Sequence, residues 1–199
     1  MKNSVKQNYR VLLAVFILLL AGACENPFYP QKKFVFNYQI GDTGPGGGKI
    51  FYRSANGFSV EGVICHYLEA VAVDINRSVT WSSTDAGVTG TVLTIGAGKQ
   101  NTKLISEVFP LDSDTNNAAK VCIGHGSPND WFLPSYLELN ELFRNHDAAG
   151  ITMGSSRCYW SSSQNSIDAS SAYFIDSNGS LGATGKVTTY YFVWPIRAF

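Results

Sequence analysis

The clearest pattern of apolar and polar positions in this chain lies between Asn129 and Arg144. Tyr136, Leu139, Leu142 and Phe143 fall at helical spacing and form one apolar stripe, with Glu138, Asn140, Glu141 and Arg144 on the other side. Ser135 and Glu138 make the S-x-x-E capping box, in which the hydroxyl and the carboxylate each take an otherwise unpaired backbone N–H. Pro134 stops any helix from running in from upstream. Trp131, Phe132 and Leu133 form an apolar run ahead of the cap that demands burial. The spacing predicts a buried segment entering a capped amphipathic helix of about three turns.

Elsewhere the pattern is shorter and mostly of strand type. Residues 34–40 alternate loosely and predict a first strand. Residues 50–52, 64–73 and 79–81 predict three more. Leu104, Ile105 and Val108 predict a short helix over residues 99–109. A second helix is expected over residues 116–122, capped by Asp114 or Thr115. Beyond Arg144 the chain is β-rich, with strands expected at residues 158–163, 172–176 and 187–193. Ser177-Asn178-Gly179-Ser180 carries an Asn-Gly hairpin signal, and residues 194–199 close the chain as an apolar strand. Repeats and heptads are absent from the sequence. The pattern predicts an α+β fold, with short helices packed on twisted antiparallel sheets.

The N-terminus changes the picture of where this domain works. Lys2, Lys6 and Arg10 form a basic n-region, and residues 11–23 are unbroken apolar or small residues. That run is too short for a bilayer-spanning helix, which needs about 20 residues, and it fits a signal-peptide core. It ends Leu20-Ala21-Gly22-Ala23-Cys24. Small residues directly before a cysteine resemble the bacterial lipobox, here relaxed by Ala21 where Leu is commonest. The expected organisation is a lipoprotein signal peptide over residues 1–23, a lipidated tether over 24–33 and a domain over 34–199. Cys24 is the lipid attachment site, and the expected location is the bacterial outer membrane or cell surface. Two chains or more on one cysteine give stable anchoring.

Composition agrees. Charged residues are 15% of the chain against the usual quarter, while Gly numbers 19 and Phe 12, a profile of loop-rich exported domains. The formal net charge is zero. Because the leader holds three cations and no acid, the mature chain is weakly acidic, without a basic block, and nucleic acid is not an expected partner.

Candidate chemistry is sparse. The glycine cluster Gly44-Pro45-Gly46-Gly47-Gly48-Lys49 fails the phosphate-loop pattern at Thr43 and Ile50, and Gly96-Ala97-Gly98-Lys99 fails it at Leu93 and Gln100; both read as turn glycines. Cys65, Cys122 and Cys158 predict one disulfide and one leftover thiol in an oxidising envelope, with all three pairings open. Cys65 and His66 point to opposite faces of a strand and form no dyad. Cys122 and His125 are near enough to meet. A thiol hydrolase or a two-cysteine redox site is the competing enzymatic reading. No cofactor is expected; calcium has candidate oxygen ligands at Asp112 to Asn116 and around Asn129-Asp130, without EF-hand spacing. Trp160, Tyr173, Tyr190, Tyr191 and Trp194 are the aromatics from which a ligand-binding surface is expected to draw.

Taken in order, several landmarks resemble one family, the C-terminal domain of the Legionella collagen-like protein. They are residues 41–52, Tyr67-Leu68-Glu69-Ala70, Trp81, residues 96–102, Ala118-Ala119-Lys120-Val121-Cys122, residues 130–135 with Glu138-Leu139, Tyr159-Trp160-Ser161-Ser162-Ser163, and Arg197-Ala198-Phe199. Together they span about residues 40–199. The resemblance implies a C-type-lectin-like fold, related in pattern to the sulfatase-modifying factors, in a bacterial surface lipoprotein. It implies an adhesin-like, non-catalytic domain that binds glycan or protein. The alternatives are an enzyme related to sulfatase-modifying factors and a purely structural envelope component. This chain departs from the pattern at Trp194, where relatives often carry a basic residue, so the founding member's sulfated-glycan ligand is not carried over.

Overall fold

The computed structural model describes residues 34–110, 112 and 117–199. The expected signal peptide and tether over residues 1–33, with Cys24, and residues 111 and 113–116 lie outside them, and with them Asp114 and most of the oxygen ligands proposed for calcium.

Two long strands begin the fold. β1 (Lys49–Val60) and β2 (Val63–Ala70) are joined by Glu61 and Gly62 alone. Both turn residues have positive φ, 49° and 86°, the geometry of the tightest hairpins. A third strand, β8 (Ile196–Ala198), pairs antiparallel with the far end of β2, Glu69 opposite Arg197, to give the order β1-β2-β8. The second sheet gathers β3 (Ser78–Val79), β4 (Cys158–Gln164), β5 (Ser171–Asp176), β6 (Leu181–Gly185) and β7 (Tyr191–Phe192) in the order β3-β7-β4-β5-β6. Only the β4–β7 contact is parallel. Three helices, α1 (Gly98–Val108), α2 (Ala118–Ile123) and α3 (Tyr136–Asn145), lie between β3 and β4 in sequence. Among the described residues this is an α+β fold of short helices and two mostly antiparallel sheets, as the pattern predicted.

Three tryptophans build the core and all find backbone acceptors. Trp81 Nε1 donates to Ser161 O at 2.8 Å, Trp160 Nε1 to Val79 O at 2.9 Å, and Trp194 Nε1 to Val71 O at 2.9 Å. Each bond ties together segments about 80 to 120 residues apart in sequence. Buried aromatics contribute most when the polar handle is satisfied. The Ser161-Ser162-Ser163 run is buried for the same reason: its hydroxyls are used, Ser161 Oγ donating to Tyr173 O and Ser163 Oγ to Val92 O, both at 2.9 Å.

Several expectations need correction. Residues 34–40 form no strand; Asn37 N–H donates to the Tyr67 hydroxyl and Gln39 N–H to the Asp42 carboxylate, so side chains hold this backbone where a ladder was expected. The strand over 187–193 shrinks to Tyr191–Phe192, because Lys186 turns inward at the end of β6 and is fully buried. Helix α2 is capped by Asn117, whose side chain accepts Lys120 N–H at 3.0 Å. The α3 capping box is present in full, yet Glu138 is buried, not on a solvated face, and Leu137 is exposed. Among the described residues no cysteine pair is bonded: Cys65, Cys122 and Cys158 are free thiols.

Candidate functional site: a groove beside two buried carboxylates

The two glycine clusters that fail as phosphate loops have a shared purpose. Each wraps a buried carboxylate. Glu69, fully buried on β2, accepts Gly46 N–H at 2.9 Å and Gly48 N–H at 3.1 Å, and takes Arg197 Nη1 at 2.7 Å. A methyl group on Gly44 would collide with that carboxylate, and one on Gly48 would press on the Ala70 carbonyl. Glu138, fully buried at the start of α3, accepts Gly96 N–H at 2.8 Å and Ser135 N–H at 2.7 Å. Gly98 N–H adds to this set, and a methyl there would strike the Glu138 carboxylate. Only glycine lets backbone come this close. Burial pushes Glu138 up to about 7 despite these donors, all of which are dipoles and none a cation.

Arg197 extends the first cradle outward. Its Nε donates to Asp130 Oδ1 at 2.6 Å, so Asp130, a candidate calcium ligand on sequence grounds, is held by a cation. Asp130, Trp131 and Phe132 then line a groove against α1 and the β1–β2 turn. Two adjoining pockets of about 320 Å³ and about 300 Å³ make it up, and Glu61, Lys99, Asp130 and Phe132 line both. Volumes near 300 Å³ are at the lower end of small-ligand sites. On the rim, Lys99 Nζ lies 3.3 Å from Glu61 and Lys103 Nζ 4.0 Å from Glu107, so the rim charges are internally balanced.

Trp131 is the unusual member. It is 4% exposed and lines both the larger pocket and a third pocket against the glycine loop. Its indole Nε1 is buried without a hydrogen-bond acceptor, and among the described residues no other buried side-chain nitrogen or oxygen is in that position. Leaving such a donor unpaired costs about 1–3 kcal/mol. The His125 ring meets the indole edge-on at 5.4 Å.

The aromatics singled out from sequence are not brought together as a platform. Trp160 and Trp194 are fully buried core residues. Tyr191 is half-buried between Trp160 and Phe174, each ring 4.8 Å away, and Tyr173 is tilted on Tyr136 at 5.0 Å. Tyr190 alone is well exposed, at 65%. Burial pushes the Cys122 thiol well above its ordinary value and raises Cys65 and Cys158 as well. His125 gives its backbone N–H to Cys122 O at 3.2 Å and aims its ring at Trp131.

Sequence reasoning passed over the groove, because Trp131 reads there as core and Lys99 and Glu61 as surface charges. It also passed over Lys186, whose ammonium donates to Gln164 Oε1 at 2.7 Å and Ala86 O at 3.0 Å and lies 4.6 Å over the Trp81 ring. Burial pushes it down to about 8. A single lysine after a glycine carries no pattern that would mark it. No family model matches the chain, and no curated protein matches it.

Proposed function

We propose that this chain is a lipid-anchored protein of the bacterial envelope, held by Cys24, whose C-type-lectin-like domain binds a ligand without transforming it. The ligand seats in the groove between the β1–β2 turn, α1 and residues 129–132. The observation that carries this reading is the Trp131 indole N–H, buried without an acceptor beside that groove. The other three indoles all donate to carbonyls, which sets Trp131 apart among the described tryptophans. The leader ending in Cys24 and the ordered resemblance over residues 40–199 support the envelope location and the binding role. The enzymatic alternative draws less support. A thiolate nucleophile needs a lowered pKa, and burial moves these thiols the other way.

The test uses the full chain solubilised in mild detergent, screened against immobilised glycans and against peptides and proteins of the envelope and of host surfaces. Trp131→Phe keeps the ring and removes the N–H. A ligand retained by the wild type and weakened by Trp131→Phe supports the reading. Catalytic turnover of the ligand that is captured, or binding indifferent to Trp131, overturns it.

A further inference from the structure

Resting on that reading, we propose that the occupant of the groove is an extended, uncharged peptide segment that adds as a strand to the open edge of β2. The sheet order is β1-β2-β8, and β8 covers only part of β2. Its pairing runs from Ala70 opposite Ile196 to Leu68 opposite Ala198, and the Phe199 carbonyl accepts the N–H groups of His66 and Tyr67. Val63 and Ile64 lie beyond that point. They pair with Val60 and Ser59 of β1 on one side and meet no described strand on the other. The two-residue turn makes Val60 and Val63 face each other, so the backbone N–H and C=O of Ile64 point away from β1.

The smaller pocket lies along this edge. Val63, Ile64 and Cys65 form one wall, Asp130 and Phe132 the opposite wall, and Phe199 the near end. Phe132 is itself bridged to Ile196 of β8, with both N–H···O bonds made, at 2.9 and 3.0 Å. The slot is therefore one strand wide, between β2 and the segment that flanks β8. Val63 and Ile64 are 64% and 61% exposed, a pairing-ready apolar edge of the kind that natural sheets usually shield. Strand addition supplies affinity through main-chain bonds, with alternate side chains entering pockets. Val63, Ile64 and Phe132 are the apolar part of these walls, which favours apolar residues at the positions that face them.

The charges select against other occupants. Lys99 and Lys103 are each engaged by a glutamate, and Arg197 by Glu69 and Asp130. A sulfated glycan finds no uncommitted cation on this rim. A peptide backbone uses what the slot offers, the outward N–H and C=O of Ile64.

The full chain is panned against a display library of short linear peptides, with neutral and sulfated oligosaccharides run in parallel. The expected result is enrichment of uncharged peptides with apolar residues at alternate positions. Ile64→Pro, which removes the edge N–H without touching the β1 ladder, lowers their affinity about tenfold, the effect of one or two backbone bonds. Ile167→Ala, on an exposed loop residue, leaves it unchanged. Should Ile64→Pro fail to fold, as judged by its thermal midpoint, the selected peptides are resynthesised with N-methyl groups at alternate residues; loss of binding in one phase and not the other is expected. No enrichment of peptides, or peptides that tolerate methylation in both phases, overturns strand addition. Saccharide binding that Trp131→Phe weakens overturns it too, while leaving the groove as a binding site intact.

Discussion

The buried carboxylate of Glu138 makes the domain's stability depend on pH in an unusual direction. In the unfolded chain this group titrates near 4.5; in the fold burial pushes it up to about 7. Between those values the native state holds a proton that the unfolded chain has released, so raising the pH favours unfolding. The stabilisation is fully present below pH 4.5 and is lost as the pH rises through 7. The gap of roughly 2.5 pH units, at about 1.4 kcal/mol each, sets a ceiling of about 3 kcal/mol. Most exported domains gain stability over this range, as paired carboxylates ionise. Asp168 and Asp176, held below their ordinary values by hydroxyl and backbone donors, behave in that usual way, but their window lies below pH 4. His125, lowered by burial, opposes Glu138 weakly near pH 6.5, so the decisive measurement is a difference. Urea unfolding of the wild type and of Glu138→Gln is followed from pH 5 to pH 8. Part of that ceiling is already lost by pH 5, so the wild type is expected to lose about 2.5 kcal/mol relative to the variant across that span. Parallel curves, or a wild type that gains on the variant as the pH rises, would refute a neutral, buried Glu138.

The other predictions are briefer. Ala is a better helix former than Gly by about 1 kcal/mol, yet Gly98→Ala at the start of α1 should destabilise by about 1–3 kcal/mol in urea, because the methyl meets the Glu138 carboxylate; a stabilised variant would dissolve the cradle. Ser135→Ala should cost about 1–2 kcal/mol, and Ser135→Asp should not restore it, since the Ser135 hydroxyl also donates to Thr94 O at 2.8 Å and a carboxylate has no proton to give. Metabolic labelling with a fatty acid should mark the wild type and not Cys24→Ala; equal labelling of both would remove the anchor. Cys65 and Cys122 should react slowly with a thiol reagent at pH 7 in native protein and quickly in urea; fast native alkylation with loss of ligand binding would bring the enzymatic reading forward.

What was legible in the sequence is what local chemistry decides. The α3 capping box needs residues three apart, and it is there in full. The Asn178-Gly179 hairpin needs a residue tolerant of positive φ, and Gly179 has φ 82°. The buried Trp131-Phe132-Leu133 run follows from apolarity alone. What was not legible depends on partners distant in the chain. Glu138 sits on the polar side of its helical stripe, and only the arrival of the loop at Gly96, 42 residues away, makes that side interior. Trp160 and Trp194 have the same composition-level look as a sugar platform, and only the carbonyls of Val79 and Val71 turn them into core. The groove could not be read at all, because its walls come from the β1–β2 turn, α1, residues 129–132 and the final residues.

The two glycine loops and the groove belong to one construction. Glu69 and Glu138 stand on different elements, but each draws a glycine-rich loop around itself, and each loop ends in a segment that shapes the groove. The first loop packs Gly48 against the Trp131 ring, while its carboxylate fixes Arg197 and, through it, Asp130. The second loop runs directly into Gly98 and Lys99, so the Glu138 carboxylate sets where α1 begins and where Lys99 reaches Glu61. Loops of this composition would otherwise be mobile, since glycine loses the most conformational freedom on ordering. A buried acceptor for their N–H groups supplies the order that side-chain packing cannot. The groove is thus walled by irregular backbone that two interior carboxylates hold in place, which lets a domain with short helices and short strands present a fixed slot at its surface.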